Sequence, residues 1–592
     1  MPTFPSNPNT VLEQFAEHGE SYNVNRLPLV SSFCHKIGIA QSINSMVESN
    51  AEIDPGTLVT AMILDTLSGR SPLYRFHEFF KDQDTELLLG REIPAGRFTD
   101  DALGRMLDRL HAAGTMKVFT DISLKACRLF EVRTDQGHFD TTSVNVWGDY
   151  DNSAAGQDAP HITFGYSKDK RPDLKQFIFS LLCVEGNIPL LGKVEDGNAA
   201  DSKLNNEHLE EVAKLIAENE IDRNNFLYIA DCKLVNEDNL NLIGDNPFVT
   251  RLPASYKVHS ETIDAALAED KWEAVGTLNQ TPASAKRPAA IYKVAERQIE
   301  LYGRRYRAIV VHSSNHDKRR QKRIDRELEK AQKGAQKAIK TAQRETYSCE
   351  KDARAELERL RKVHGKRLWQ VSGDLEEKKI YASGKVAAGE ERKVRRIDYR
   401  LRLKAEENKE LTERFRAHAG CFVLLSNAPK HASSQVEPGA ASQHASRRWS
   451  ARECLEAYKE QHGVEHNFSF LKEPLIVNDI FLKKPGRIDA LGLVLLLSLL
   501  VWSLMQRTLR KSIEEDPKLV LTDLDNKPTE RPTAFILLNK FLSVIVLKLG
   551  SHRRLGNPLR HDQQKYLRAL GLSPKIFTEP PKIVVPRPID PN

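Results

Sequence analysis

The chain has 592 residues, enough for about three or four folded units at roughly 150 residues each. Its 88 basic and 81 acidic residues leave a net charge of only +7, which permits nucleic-acid binding without arguing for it. Seven scattered cysteines with no CxxC pair exclude a zinc knuckle or a disulfide framework and fit a reducing cytoplasm, and the opening MPTFPSNPNTVLEQF lacks the basic start and apolar run of a signal peptide.

Residues 1–130 read as a helical N-terminal domain, either a DNA-binding helix-turn-helix module or a plain packing domain; the pattern does not separate the two. Apolar residues of NRLPLVSSFCHKIGIAQSINSMV recur at three- and four-residue spacings, and PGTLVTAMILDTLSG places Pro in a first helical turn. FTDDALGRMLDRL begins on a Thr or Asp cap.

From about residue 137 the period shortens. GHFDTTSVNVWGDY, HITFGYS and QFIFSLLCVEGNIPLLGKVEDGN read as strands, the last turning at Glu185-Gly186-Asn187. A helix follows at 201–219, then the strand FLYIAD ending at Asp231, then PFVTRL at 247–252. Strands followed by alternating helix and strand predict an α/β fold, a mixed sheet covered by helices, whose first part occupies 131–258.

Residues 259–418 read as an insertion. AAIYKVAERQIELYGRRYRAIVVHSS predicts two strands joined at Gly303. In the charged stretch that follows, Ile324, Leu328, Ala331, Ala335, Ala338 and Ala342 repeat in steps of four and three, an alanine-rich heptad seam. Val394, Ile397, Leu401, Ala405, Asn408 and Leu411 supply a return arm, with the glycines of SGDLEEKKIYASGKVAAG as the turn. This predicts a long charged helical hairpin, set against the plainer reading of a solvated helix with no partner.

CFVLLSN at 421–427 resumes the sheet in a second part of this α/β fold, 419–485. There a low-complexity linker, APKHASSQVEPGAASQHASRR, leads into a helix at 450–472. The last segment, 486–592, reads as helical with a Pro-rich tail, TEPPKIVVPRPIDPN, expected to be disordered. Within it IDALGLVLLLSLLVWSLM, 488–505, approaches the length of a membrane span. Its Asp489, Gly492, Ser498 and Ser503, and the lack of a second such run, favour a buried helix of a large domain.

Three acidic residues stand where catalytic carboxylates would. Asp140 lies inside a strand and Asp231 at the end of one, where a carboxylate is costly unless paired or bound to metal, although Asp also terminates strands ordinarily. Tyr458, Gln461, Glu465 and Lys472 fall within a roughly 60° arc of one helix face, at about 100° per residue. Ala457, Val464, Phe468 and Leu471 form an adjacent apolar stripe, so the helix can press this stripe on the sheet and aim Glu465 at the strand ends.

The string YKEQHGVEHNFSFLK is similar to the Y-x2-R-x3-E-x6-K signature of cut-and-paste insertion-sequence transposases, the insertion-sequence-four superfamily of DDE enzymes. FDTTSV resembles their first-aspartate strand, GYSKDKRPDLKQ and DGNAADSK the stretch after it, YIADCKL the second-aspartate strand and FVTRLP the strand beyond. The layout resembles the sixteen-thirty-four-like branch, closely over about 130–260 and 419–510 and more loosely elsewhere. The resemblance implies an RNase H-like fold, a five-stranded mixed sheet with flanking helices, interrupted before the glutamate-bearing helix. It implies Asp140, Asp231 and Glu465 as catalytic residues and as ligands of two Mg2+ ions, with Mn2+ as an alternative. It also implies double-stranded DNA as partner, both transposon terminal inverted repeats and target DNA, within a homodimeric synapse. The expected setting is the bacterial cytoplasm, with no membrane partner.

Tyr458 and Lys472 match positions that hold phosphates near the cleaved end. Gln461 departs from the pattern, which expects Arg there; an amide donates to phosphate but neither neutralises it nor grips it bidentately, and Lys459 stands beside it. Lys168, Lys170, Arg171 and Arg251 read as DNA-backbone contacts or as solvated surface, and Trp369 and Trp449 as platforms for a flipped base or as structural residues. The rival reading is a catalytically inactive, transposase-derived DNA-binding protein or repressor. A membrane-associated structural protein rests on 488–505 alone.

Overall fold

The computed structural model of the chain describes residues 15, 17–150, 159–219, 225–278, 288–364, 367–384, 391–430, 447–473, 480 and 482–581. It resolves into two compact units, one formed by Met1–Phe248, Pro438–Arg447 and Ala457–Asn592, the other by Val249–Glu437 and Arg448–Glu456.

The first unit opens with the helices Leu27–Ile37, Ile39–Met46, Pro55–Gly69, Asp100–Ala112 and Thr115–Leu129, as the spacing predicts. Asp54 and Thr99 cap two of them, accepting from the Thr57 and Ala102 backbone N–H groups. The chain then enters strands β1 (Gln136–Val146), β2 (Lys175–Val184) and β3 (Ile188–Glu195), followed by helix Asp201–Glu218, β4 (Leu227–Ala230) and the start of β5 (Phe248–Arg251). β1, β2 and β3 pair antiparallel in sequence, and β4 lies on the other side of β1, parallel to it. The Tyr228 N–H in β4 donates to the Pro247 carbonyl at 2.9 Å, placing the entry to β5 beside β4. The sheet is therefore mixed. HITFGYS is not one of its strands: only Thr163 makes an isolated bridge, to Gln176, and Gly165 passes so close to Gly197 that a Cβ there would lie 2.1 Å from its carbonyl oxygen.

The apolar run of 488–505 lies in helix Pro485–Glu515, 94% buried over its most apolar stretch, which packs on β3 and on helices Pro55–Gly69, Asp100–Ala112 and Thr115–Leu129. Its one acidic interruption, Asp489, accepts from the Thr115 hydroxyl at 3.0 Å and lies 2.7 Å from His111 Nδ1. That satisfies the carboxylate and makes this helix the spine of the unit's core. The region after it is not purely helical. Helices Ala534–Lys540 and His561–Ala569 are joined by the hairpin Val546–Leu549 and His552–Leu555, which pairs with Glu20–Tyr22 near the N-terminus. Most of the Pro-rich tail, from 582 on, and the linker at 431–446 lie outside the described residues.

The second unit holds β6 (Glu273–Thr277), β7 (Ile291–Leu301), β8 (Arg304–Ser313) and, further along the chain, β9 (Trp369–Tyr381), β10 (Val394–Glu407) and β11 (Cys421–Ser426). β7 and β8 form the expected hairpin, turning at Tyr302 and Gly303, both with positive φ. β5, β11, β8, β7 and β6 follow one another in antiparallel order.

The insertion corrects the predicted helical hairpin. Ser314–Ala342 is one 29-residue helix, but Val394–Glu407 is a strand paired with Trp369–Tyr381 in a two-stranded ribbon. Its Ile397, Tyr399, Leu401, Leu403 and Ala405 alternate at period two with charged residues, and a ribbon that buries this face satisfies the pattern better than a heptad does. The alanine seam is buried as expected at Ile324, Ala335 and Ala342. It packs against helix Glu350–His364 and this ribbon, through Leu357, Leu360, Val371, Leu401 and Leu403.

Candidate active site

In β1 and β4, Phe139 stands beside Ala230 in parallel register. Asp140 is the next residue on β1 and Asp231 the first residue past the end of β4, so the register brings the two positions side by side. Asp140 accepts from the Thr141 N–H at 2.7 Å. Asp231 leaves its strand to cap a short 3-10 turn, accepting from the Lys233 N–H at 2.9 Å.

Two further residues complete the cluster. Asp201, the first residue of helix Asp201–Glu218, accepts from the Thr141 hydroxyl at 3.0 Å. Lys168 donates its ammonium to the same hydroxyl at 3.0 Å and to the Thr141 carbonyl, and stands 3.9 Å from Asp140 Oδ1. Burial pushes the Asp140 carboxyl up to about 6, helped by repulsion from Asp231 and Asp201 and opposed by Lys168 and the Thr141 N–H. Asp231 is raised for the same reasons, burial first and then Asp201, with the Lys233 N–H and Lys168 opposing. The result is an acidic centre only partly neutralised by Lys168 and Lys233, an environment that favours a further cation. Asp201 sits in DGNAADSK, where an Asp opening a helix reads as an ordinary first-turn acid, so the sequence does not single it out.

The glutamate-bearing segment is divided. One helix ends at Glu460, a second runs His462–Leu471, and Gln461 stands between them. The predicted apolar stripe is buried: Ala457, Val464, Phe468 and Leu471 are all at most 7% exposed. His462–Leu471 packs on β1 and on the turn after β2, where Asn467 donates to the Asn187 carbonyl at 2.8 Å. Gln461 Nε2 lies 3.5 Å from the Phe139 carbonyl, one residue from Asp140. Glu465 itself is 68% exposed, 3.4 Å from His462 Nδ1, and is not among the charges that perturb either aspartate. Among the described residues no group of three or more His, Cys, Asp or Glu side chains is arranged to hold a metal ion. Asp140 and Asp231 fit a hard cation as a pair; Glu465 does not join them in this conformation.

The remaining predicted contacts are dispersed. Lys472 pairs with Asp169 at 2.8 Å, and Tyr458 and Lys459 are half-buried. Arg171 binds Asp173 through two nitrogens, at 2.9 and 2.7 Å, and lies 5.2 Å above the Trp147 ring. Lys168 faces the carboxylates, while Lys170 is exposed. In the second unit Arg251 lies over the Phe422 ring at 5.4 Å and Trp369 begins β9 half-buried. Trp449 is 1% exposed, which leaves its ring no free face for a base in this conformation.

Residues 19–124 match a sequence family described as a domain of unknown function, DUF4277, a domain family found in transposase-like proteins. The match spans the N-terminal helices and ends before β1. No curated protein matches the chain.

Proposed function

We propose that the chain is a DDE-type DNA transposase of the insertion-sequence-four superfamily, sixteen-thirty-four-like branch. In this reading it binds transposon ends, cleaves them hydrolytically and joins the 3′ ends to target DNA. The observation that carries it is the juxtaposition of Asp140, within β1, and Asp231, just past the end of the adjacent parallel β4, with Asp140 raised to about 6. The strand order supports an RNase H-like sheet: third, second, first and fourth strands side by side, with the fifth entering beside the fourth. The DUF4277 match agrees with the reading.

Asp140 and Asp231 would hold Mg2+, with Glu465 as the third carboxylate. Bound divalent cations supply the charge that activates the attacking oxygen and stabilises the leaving one in displacement at phosphorus. Asp140 and Asp231 present oxygen ligands from a rigid sheet, and Thr141 ties Lys168 and Asp201 into fixed positions beside them. Gln461 stands beside the β1 backbone, its Nε2 3.5 Å from the Phe139 carbonyl.

The test is strand cleavage of duplexes carrying the DNA that flanks the coding sequence. Wild type should nick them in Mg2+ and not in excess chelator, while Asp140→Asn should bind the same duplexes and leave them intact. Cleavage by Asp140→Asn would sink the assignment. Binding without cleavage by wild type would favour an inactive DNA-binding derivative, the reading to which Gln461 and the outward Glu465 lend weight.

A further inference from the structure

The helix Ser314–Ala342 carries ten basic and four acidic side chains, and their arrangement is not that of an ordinary solvated helix. Arg319, Arg326, Lys330, Lys333, Lys337 and Lys340 fall within about 80° of one another around the axis, at 100° per residue. All six are exposed, and they lie opposite the buried Ile324, Ala335 and Ala342. The stripe from Arg319 to Lys340 is about 32 Å long, close to one turn of B-form DNA.

A helix built for water alone places acids four residues from bases along such a face. Here Arg326 and Lys330, and Lys333 and Lys337, are like-charged pairs at that spacing, each costing the isolated helix about 0.2–0.5 kcal/mol. Two of the acids are engaged off the stripe, Asp325 with Arg416 at 2.7 Å and Glu327 with Arg323 at 2.6 Å, and a third, Glu329, relieves one stripe residue, Lys333, at 2.6 Å. Among the described residues Arg319, Arg326, Lys330, Lys337 and Lys340 make no ion pair.

We infer that this face of helix Ser314–Ala342 is a docking surface for the phosphate backbone of double-stranded DNA. The charge is complementary to a polyanion, and the straight, rigid row suits a regular duplex. An anionic membrane would call for an apolar face free to insert, and this helix buries its apolar face inside the unit. Single-stranded nucleic acid would call for aromatic stacking platforms, and the stripe has none. The surface supplies sequence-independent affinity, separate from the acidic centre. It rests on the transposase reading only for the reason the chain meets DNA.

The test uses the full chain and the quadruple variant Arg319→Gln, Arg326→Gln, Lys330→Gln, Lys337→Gln, with the same four positions exchanged between Arg and Lys as a charge-conserving control. Glutamine keeps helix propensity, and circular dichroism checks that the variant is folded. Binding to a duplex of arbitrary sequence is followed by anisotropy across a salt series. The quadruple variant should lose at least about tenfold affinity near 100 mM salt, and its slope of log K against log salt should shrink by about 3. The control should bind like wild type. An unchanged affinity and slope overturn the inference, as does failure of wild type to bind duplex, or preferential binding to anionic vesicles or to single-stranded RNA. Wild type that binds with this salt slope yet leaves duplexes carrying the flanking DNA uncut in Mg2+ refutes the transposase reading and leaves the docking surface standing.

Discussion

Thr141 holds two opposite charges at once, its hydroxyl bonded to Asp201 and to Lys168, both at 3.0 Å, inside a strand that buries it. Thr141→Val keeps the shape and removes both bonds. It should cost about 1–3 kcal/mol of stability, read by denaturant unfolding, and lower cleavage more than DNA binding. A second residue-scale prediction concerns pH. Burial, with Arg251 and His418 nearby, depresses His259 from its usual 6.5 to about 4. The unfolded chain therefore takes up a proton that the folded chain refuses. The stabilisation is complete above about pH 6.5 and is lost as pH falls towards 4, by up to about 3 kcal/mol. Thermal melts between these limits should fall for wild type and fall less for His259→Gln; parallel curves would contradict it. At this scale Asp140 and Asp231 are legible in the sequence through their motifs. The Thr141 bridge is not, because Asp201 and Lys168 lie 60 and 27 residues away.

The helix His462–Leu471 shows what spacing reveals and what it hides. Its buried stripe follows from period alone, whereas the break at Gln461 and the outward turn of Glu465 depend on how the helix seats against the turn after β2. Gly463 makes that seat: a Cβ there would lie 1.7 Å from Asn187 Oδ1. Gly463→Ala should displace the Asn187 side chain from this seat, lower stability by at most about 1–3 kcal/mol and reduce cleavage, with duplex affinity retained. The β9–β10 ribbon carries the opposite lesson. Ile397, Leu401 and Ala405 satisfy a four-residue spacing and a two-residue alternation equally, and only pairing with Trp369–Tyr381 decides between them.

Over the whole molecule, the apolar run 488–505 is the clearest case of a local signal settled by long-range packing. Its length approaches a membrane span, its Asp489, Gly492, Ser498 and Ser503 favour a buried helix, and the helix is enclosed by β3 and the N-terminal helices with Asp489 satisfied by Thr115. Leu497→Ala should therefore behave as a core truncation, costing about 2–5 kcal/mol in unfolding experiments. A change near zero would mean that the helix does not pack as described. The mixed order of β1 to β4 was within reach of the alternating pattern, since strands separated by a helix tend to pair in parallel.

The central claim is that Asp140 and Asp231 act as one catalytic unit, and strand cleavage by Asp140→Asn, Asp231→Asn and the double variant tests it most directly. Groups acting as a unit are strongly non-additive. Each single variant should lose about 1,000-fold or more in cleavage rate, and the double should be no slower than either. A single variant cleaving near the wild-type rate, or losses that multiply in the double, would contradict the account.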